Sequence, residues 1–360
     1  MTQPKSSRPR LAVLFGGRST EHEVSVMSAV NVIGAIDPDH FEAVPIYVDR
    51  EGVWRLSSFE GGKLARPSSG PQLALVPGGC GRLAVVDGGA DVPPIDLVYP
   101  LIHGQNGEDG SLQGLARAAR LPLVGCDTLG SATTLDKDVA KRLLRDAGLP
   151  VARSATIRRG DVPAFDALVR DLGLPLFVKP ASQGSSVGVS KVASADDYAA
   201  AVATGFKYDR KLLAEEFIRG REIECAVLED DDGALVVSRP GEIAPAEKHG
   251  FYSYDAKYID KDGAALMVPA DLPEDIEREL RRATATAFRA AGCDGWARVD
   301  FFVCADGRFV INEINTIPGC TDISMYPLAM AASGTPMRLV IDCLVRQAFA
   351  RHAEADLLGS

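Results

Sequence analysis

Long apolar runs are missing from this chain. No stretch approaches the roughly 20 consecutive apolar residues that cross a bilayer. The first apolar run, Leu11 to Phe15, follows Lys5, Arg8 and Arg10 but is too short for a signal-peptide core. Paired cysteines are missing too. The seven cysteines, at 80, 126, 225, 293, 304, 320 and 343, contain no Cys-x-x-Cys and have no zinc-like spacing with the five histidines. Reduced thiols in a cytoplasmic protein are the expectation. There is no surplus of positive charge: 39 Lys and Arg stand against 49 Asp and Glu, a net charge of -10. That opposes nucleic acid or an anionic membrane as partner, and leaves any anionic substrate to a few local cations. The G-x-x-x-x-G-K-[ST] phosphate loop is absent, and so is G-x-G-x-x-G after the first strand.

What is present, in 360 residues of which 46% are hydrophobic, suffices for two or three domains with substantial cores. Leu11 to Phe15, ending in Gly16-Gly17, reads as a buried parallel strand. Thr20-Glu-His-Glu23 matches a capping box, with Glu23 in the capping role, and Val24 to Ile36 carries helical periodicity. With a second strand over Ala43 to Val48 this is a βαβ unit, so an open parallel sheet is expected first. Residues 50 to 94 read as a strand or two plus loops, and Asp96 to Ile102 as another strand. A helix is expected from about Thr133 to Ala147, and strands over Leu174 to Lys179, Leu212 to Phe217 and Ile223 to Leu228. A capped helix starts at Asp271-Leu-Pro-Glu274 and runs to Gly292. Domain boundaries are placed near 126 and 215.

The segment Trp296 to Asn315 carries the most chemistry. Asp306-Gly307 signals a two-residue hairpin turn, which makes paired residue numbers sum to about 613. Asp300 then opposes Glu313, Arg298 opposes Asn315, and all four share a face, while Asn312 points away. Two carboxylates about 5 Å apart repel by roughly 3 kcal/mol at an effective dielectric of about 20, so a counter-charge is required. Asp300, Glu313 and Asn315 therefore read as oxygen ligands for Mg²⁺ beside phosphate, with Arg298 stabilising a transferring group. The bland alternative is a set of cross-strand salt bridges on a wet face. Upstream, Lys179 ends a strand and is followed by Gly184-Ser185-Ser186-Val-Gly188, a loop able to close over phosphates. Lys137 lies on a helix. Glu215-Glu216-Phe217-Ile218, with Glu222 beyond it, suits an adenine crevice and a ribose contact.

In this order the segments resemble the ATP-grasp superfamily and, more narrowly, the D-alanine–D-alanine ligase family over almost the whole chain. They are Gly16-Gly-Arg-Ser-Thr-Glu-His-Glu-Val-Ser25, His103-Gly-x-x-Gly-Glu-Asp-Gly110, Lys179-Pro-x-x-x-Gly-Ser-Ser-Val-Gly188, Ala256-Lys-Tyr258, Gly295-Trp-Ala-Arg-Val-Asp300 and Glu313-Ile-Asn-Thr-x-Pro-Gly-x-Thr321. The resemblance implies an α/β and α+β chain of ATP-grasp architecture. Residues 1–126 would form a Rossmann-like substrate domain, 127–215 a central lobe with the glycine/serine loop, and 216–360 a lobe with the metal hairpin and a lid over Glu247 to Tyr258. It implies ATP and two Mg²⁺ (or Mn²⁺), with the metals on Asp300, Glu313 and Asn315. ATP would be held by Lys137, Lys179, Ser186, Glu215, Glu216, Phe217, Ile218, Glu222 and Lys257. Glu21 would receive the first D-alanine's ammonium, with His103 nearby. Ser324 and Met325 would meet the second substrate, Arg298 and the Gly319 amide would hold the oxyanion, and Tyr258 would reach toward Ser185 and Glu21. Tyrosine at 258 implies an amine acceptor rather than D-lactate.

The partners implied are small molecules, D-alanine and ATP, with a homodimer left open. Competing readings are another ATP-grasp carboxylate–amine ligase, a D-alanyl-D-lactate ligase, a non-catalytic nucleotide-binding module, and an NAD-binding oxidoreductase suggested by Asp49 after the second strand. The missing glycine fingerprint opposes the last.

Overall fold

The computed structural model describes residues 8–89, 92–245 and 264–358. Three sheets are laid down in chain order. The first contains β1 (Arg10–Gly16), β2 (Glu42–Val48), β3 (Trp54–Leu56), β6 (Leu73–Leu75), β7 (Leu83–Val85) and β8 (Leu97–Pro100), in the order β7-β6-β3-β2-β1-β8. β4 (Phe59–Glu60) and β5 (Lys63–Leu64) form a separate small hairpin. β1 runs parallel to β2 and to β8, as expected. The other half of the sheet is antiparallel. Among the described residues of 50 to 94 there are thus five short strands where one or two were expected, because runs of three or two residues carry too little alternation to be seen.

Helix α1 (His22–Ala35) packs on β1. Its N-cap is Glu21, and no cap hydrogen bond forms from that side chain. The expected capping box is therefore corrected: Glu23 instead pairs with Arg66 at 2.9 Å and Arg50 at 3.4 Å, leaving Glu21 at the helix mouth. Helix α2 (Ser111–Ala118) follows β8.

The single helix expected over Thr133 to Ala147 is two. α3 (Thr128–Leu135) stops and α4 (Lys137–Asp146) starts at Asp136, whose side chain accepts from the amides of Asp138 and Val139 at 3.2 Å each. The break puts Lys137 at the first residue of a helix. The second sheet is β11-β10-β12-β9, built from β9 (Ser154–Arg158), β10 (Leu176–Pro180), β11 (Ser190–Val192) and β12 (Lys211–Glu216), and backed by α5 (Phe165–Leu172) and α6 (Ala195–Gly205).

The third sheet runs β16-β15-β13-β17-β18, with β14 (Leu235–Val237) on β13 (Arg221–Glu229). Its other strands are β15 (Gly241–Pro245), β16 (Ala264–Met267), β17 (Trp296–Val303) and β18 (Phe309–Asn315), and α7 (Glu274–Ala290) covers it. α7 is capped at Pro273 without a side-chain bond, so Asp271 is not its cap. α8 (Met325–Ala332) and α9 (Met337–Leu357) close the chain. Fully buried Trp296 stands edge-on to Tyr99 of β8 and to Tyr326 of α8, at 6.0 and 5.2 Å. These contacts tie the third sheet to the first at β8. All seven cysteines are free. No single helix among the described residues is long and apolar enough to cross a membrane.

Asp136→Ala removes the α4 cap and should lower stability by about 1 kcal/mol, read from the urea midpoint. An unchanged midpoint would show that the cap does not set the helix start.

Candidate active site

Two cavities adjoin among these sheets. The first, about 550 Å³, lies between α1, the loop after β8, the start of α8 and the face of the third sheet. The second, about 510 Å³, lies between the second and third sheets. Lys137, Gly184, Ser185, Ile243 and Glu313 border both. Ligands in the two cavities would meet there.

The hairpin β17–β18 puts charge at this junction. Arg298 pairs with Asn315, and Asp300 with Glu313, as expected. Two departures cancel to give that register. The turn has a three-residue loop rather than two: Cys304 and Arg308 close it at 2.7 Å, with Gly307 in the left-handed region at φ +82°. Between Asp300 and Phe301 the register then slips by one, a β-bulge that leaves Asn312 without a partner residue. The bulge also re-aims Asn312. It does not point away; it borders the second cavity, with its Oδ1 3.5 Å from the Lys179 ammonium.

Arg298 lies flat between carboxylates. Its Nε and Nη2 donate to the two oxygens of Asp300, at 2.7 Å each, and Nε is 2.9 Å from Glu224 on the neighbouring strand. Burial works against the guanidinium's charge, but Asp300 and Glu224 overcome it and raise its pKa above the usual arginine range. The Asn315 amide donates to Asp300 at 3.0 Å. Lys137 Nζ bridges Glu313, at 3.1 Å, and the Gln183 carbonyl, at 2.9 Å. Glu313 and Asn315 border the first cavity, whereas Asp300 lies beneath Arg298. Among the described residues no three His, Cys, Asp or Glu side chains stand in metal-holding geometry. The donor set is two carboxylates and an amide, open to further oxygens. That fits Mg²⁺ shared with phosphate, provided Asn315 turns its amide oxygen inward.

In the second cavity, Lys179 Nζ is 2.7 Å from Glu215 Oε2, and Glu215 Oε1 is 3.0 Å from Lys141 of α4. Burial alone would raise the Glu215 carboxyl; the two ammonium groups overcome it and hold it below the usual range. Phe217, half exposed, leans on Phe177 with ring centres 5.8 Å apart, and Ile218, Phe302 and Ile311 continue the apolar wall. Glu222 borders the cavity. Glu216 does so too, with its carboxylate taken by the backbone amide and guanidinium of Arg153, at 2.7 Å each. Ser185 and Ser186 both adopt left-handed backbone, at φ +50° and +58°, an uncommon conformation for non-glycine residues. It turns the loop so that Ser185 Oγ donates to Glu21 Oε1. A Cβ at Gly184 would stand 2.9 Å from Glu21 Oε2, so a larger residue there would push that carboxylate aside.

The rest of the first cavity is a ring around Glu21. Buried His103 donates from Nδ1 to the Ile317 carbonyl at 3.0 Å, with Nε2 3.3 Å from the Ser28 hydroxyl. Burial lowers its pKa, so the ring is neutral. Glu108 accepts from the amides of Gly104, at 2.7 Å, and Ile317, at 2.9 Å, yet burial and the nearby Glu21 raise its carboxyl to about 7. Ser324 stands at the N-cap position of α8 without a capping bond from its side chain, and its hydroxyl accepts from the Thr321 amide at 3.0 Å. Gly319, Ser324 and Met325 line the same wall. Tyr258 and Lys257, with the rest of the lid segment, lie outside the described residues.

Over residues 10–126 the chain matches the family model described as D-ala D-ala ligase N-terminus, and over 143–346 that described as D-ala D-ala ligase C-terminus. The chain belongs to the D-alanine–D-alanine ligase family. Among its curated relatives, D-alanine–D-alanine ligase A of Brucella suis biovar 1 (strain 1330) is 60% identical over 349 residues, covering 96% of this chain and 99% of the relative. The Mesorhizobium japonicum ligase A is 54% identical, covering 96% and 98%. Among solved structures, the D-alanine–D-alanine ligase of Coxiella burnetii superposes with a TM-score of 0.85 at 34% identity, covering 98% and 97%. The VanG D-Ala:D-Ser ligase of Enterococcus faecalis does so at 0.83 and 35%, covering 95% and 100%. The likeness to solved family members carries the ATP-grasp fold.

For this ligase-family chain, sequence reasoning missed Lys141, Glu224, Asn312 and Glu108. Two were within reach: Lys141 is one helical turn from Lys137, and Glu224 is two strand residues from Glu222. Asn312 needed the bulge, which has no signature in the sequence. Glu108 titrates with a testable sign. Between its unfolded value near 4.5 and its folded value of about 7, the native state holds a proton that the unfolded chain has released. Its contribution is fully present below 4.5 and is lost as pH rises through 7, by about 3 kcal/mol. Glu108→Gln should flatten that part of the stability–pH curve in denaturant titrations. An undiminished slope would exclude Glu108 as its source.

Proposed function

We propose that this ligase joins two D-alanine molecules to D-alanyl-D-alanine at the expense of ATP, as a cytoplasmic step in peptidoglycan precursor synthesis. The observation that carries the reading is the shared border of the two cavities, where Lys137, the glycine/serine loop and Glu313 stand between a polar pocket and an apolar-walled one. The second cavity takes ATP. Phe217, Ile218 and Phe302 flank the base, main chain at Glu216 and the Glu215 carboxylate serve its polar edge, and Glu222 serves the ribose. Lys179, Lys137 and the Ser185–Ser186 amides hold phosphates at the junction. Asp300, Glu313 and Asn315 would hold magnesium, which when bound neutralises phosphate charge.

The carboxylate of the first D-alanine, its ammonium received by Glu21, faces the γ-phosphate across Lys137. Attack there releases ADP and leaves an acyl phosphate. The amine of the second D-alanine, its carboxylate received by Ser324 at the start of α8, then attacks the acyl carbon and phosphate departs. Negative charge on the tetrahedral oxygen falls to Arg298 and the Gly319 amide. His103, neutral and hydrogen-bonded on both nitrogens, orients the Ile317–Gly319 segment. Phosphorylation already makes the carboxylate a good acyl donor, so no protein nucleophile is required. With tyrosine at 258, the family resemblance implies an amine acceptor, and D-lactate should be a poor substitute at neutral pH.

Phosphate release from ATP should require D-alanine and Mg²⁺ together, and L-alanine should not replace D-alanine. Release that ignores D-alanine would sink the reading. Glu313→Gln should lower kcat on the order of 100-fold while the chain still binds ADP, as loss of a group acting on developing charge does.

A further inference from the structure

Helix α4 carries two lysines one turn apart, and they serve different walls. Lys137 reaches Gln183 and Glu313 at the cavity junction. Lys141 borders neither cavity; its side chain is 2% exposed, behind the second one, against Glu215. Glu215 in turn holds Lys179, which does border that cavity. We propose that Lys141 is a positioning residue of the nucleotide site, occupying one oxygen of Glu215 so that the other fixes Lys179 on the cavity wall with charge to spare. The proposal rests on reading the second cavity as the nucleotide pocket.

The argument is one of charge and access. The trio Lys141–Glu215–Lys179 carries a net charge of +1 behind a pocket that must hold a polyphosphate. Remove Lys141 and the pair left is neutral: the whole charge of a buried carboxylate then falls on Lys179, in a setting where water competes weakly and ion pairs tighten. Lys179 would be drawn toward Glu215 and away from the ligand. A buried ammonium is costly unless paired, and burial does lower the pKa of Lys141 while Glu215 partly restores it. The β12 register puts Glu215 directly opposite Phe177 on β10, so the carboxylate is held by the sheet and only its cations can be exchanged.

The test separates this role from packing. ADP binding is measured by calorimetry, which does not depend on the acceptor reaction, alongside steady-state kinetics. Lys141→Met should weaken ADP about tenfold and raise KM for ATP by a similar factor, with KM for D-alanine and kcat within twofold. Lys141→Arg, which keeps the charge, should recover most of the loss. In Lys141→Met/Glu215→Gln no carboxylate remains to compensate, so the double variant should bind ADP no worse than Glu215→Gln alone. That pair also decides the matter should Lys141→Met alone fail to fold. Unchanged ADP affinity in folded Lys141→Met, or losses that add in the double variant, would overturn the proposal. Failure of D-alanine-dependent phosphate release with ADP binding intact would instead count against the ligase assignment alone.

Discussion

Four carboxylates, Glu215, Glu224, Asp300 and Glu313, come together on three adjacent strands of the third sheet and the facing strand of the second, largely out of water. Left alone they would repel one another and could not remain ionised. Each is met by a cation: Arg298, on Asp300's own strand, between Glu224 and Asp300, Lys137 on Glu313, and Lys179 with Lys141 on Glu215. The site depends on this interlock. It explains why a chain with excess acid can build an anion pocket, since the few lysines and arginines that matter are placed by carboxylates and not by a basic surface.

The placement follows from local devices. Asp136 interrupts what would otherwise be one helix and starts another, and the restart aims Lys137 and Lys141 to one side. Lys211 on β12 pairs with Asp136, and with Asp138 at 3.4 Å, so α4 is anchored to the second sheet. The cations are therefore tied to the sheet whose Glu215 they meet. Trp296, wedged between Tyr99 and Tyr326, ties the hairpin that carries Arg298 and Asp300 to the first sheet, where Glu21 waits at the end of β1. Each tie is ordinary by itself. Together they bring three separate sheets to one junction.

How much of this was legible depended on whether the signal was local. The βαβ start, the Asp300–Glu313 and Arg298–Asn315 pairings and the Ser185 loop all lie in short segments whose alternation or turn chemistry speaks for itself. Yet the pairings hold although the turn is one residue longer than its Asp-Gly signal implies, because the bulge at Asn312 restores the count. Position Asn312 was lost in the same cancellation. Lys141 and Glu224 were hidden for a different reason. A lysine on a helix and a glutamate on a strand have solvated faces as their default reading, and only a partner tens of residues away in the chain overturns it. The split at Asp136 was missed because apolar periodicity continues through it, although an acidic residue before a helix is a capping signal.

The interlock also bears on how a ligand enters. A buried charge stripped of its partner is costly, so a site of empty, waiting charges would be unstable without substrate. Here each of the four carboxylates already has a cation, and Glu21 has the Ser185 hydroxyl. Under the proposed function, binding would proceed by exchange: a phosphate oxygen in place of Glu313 on Lys137, a substrate ammonium beside Ser185 on Glu21, a metal ion in place of the cations on Glu313 and Asp300. Each exchange replaces one pairing by another of the same sign, so the affinity of the site reflects small differences between large terms. Residues that adjust those differences need not touch the ligand, and a lysine one layer behind the cavity wall can matter as much as one that lines it.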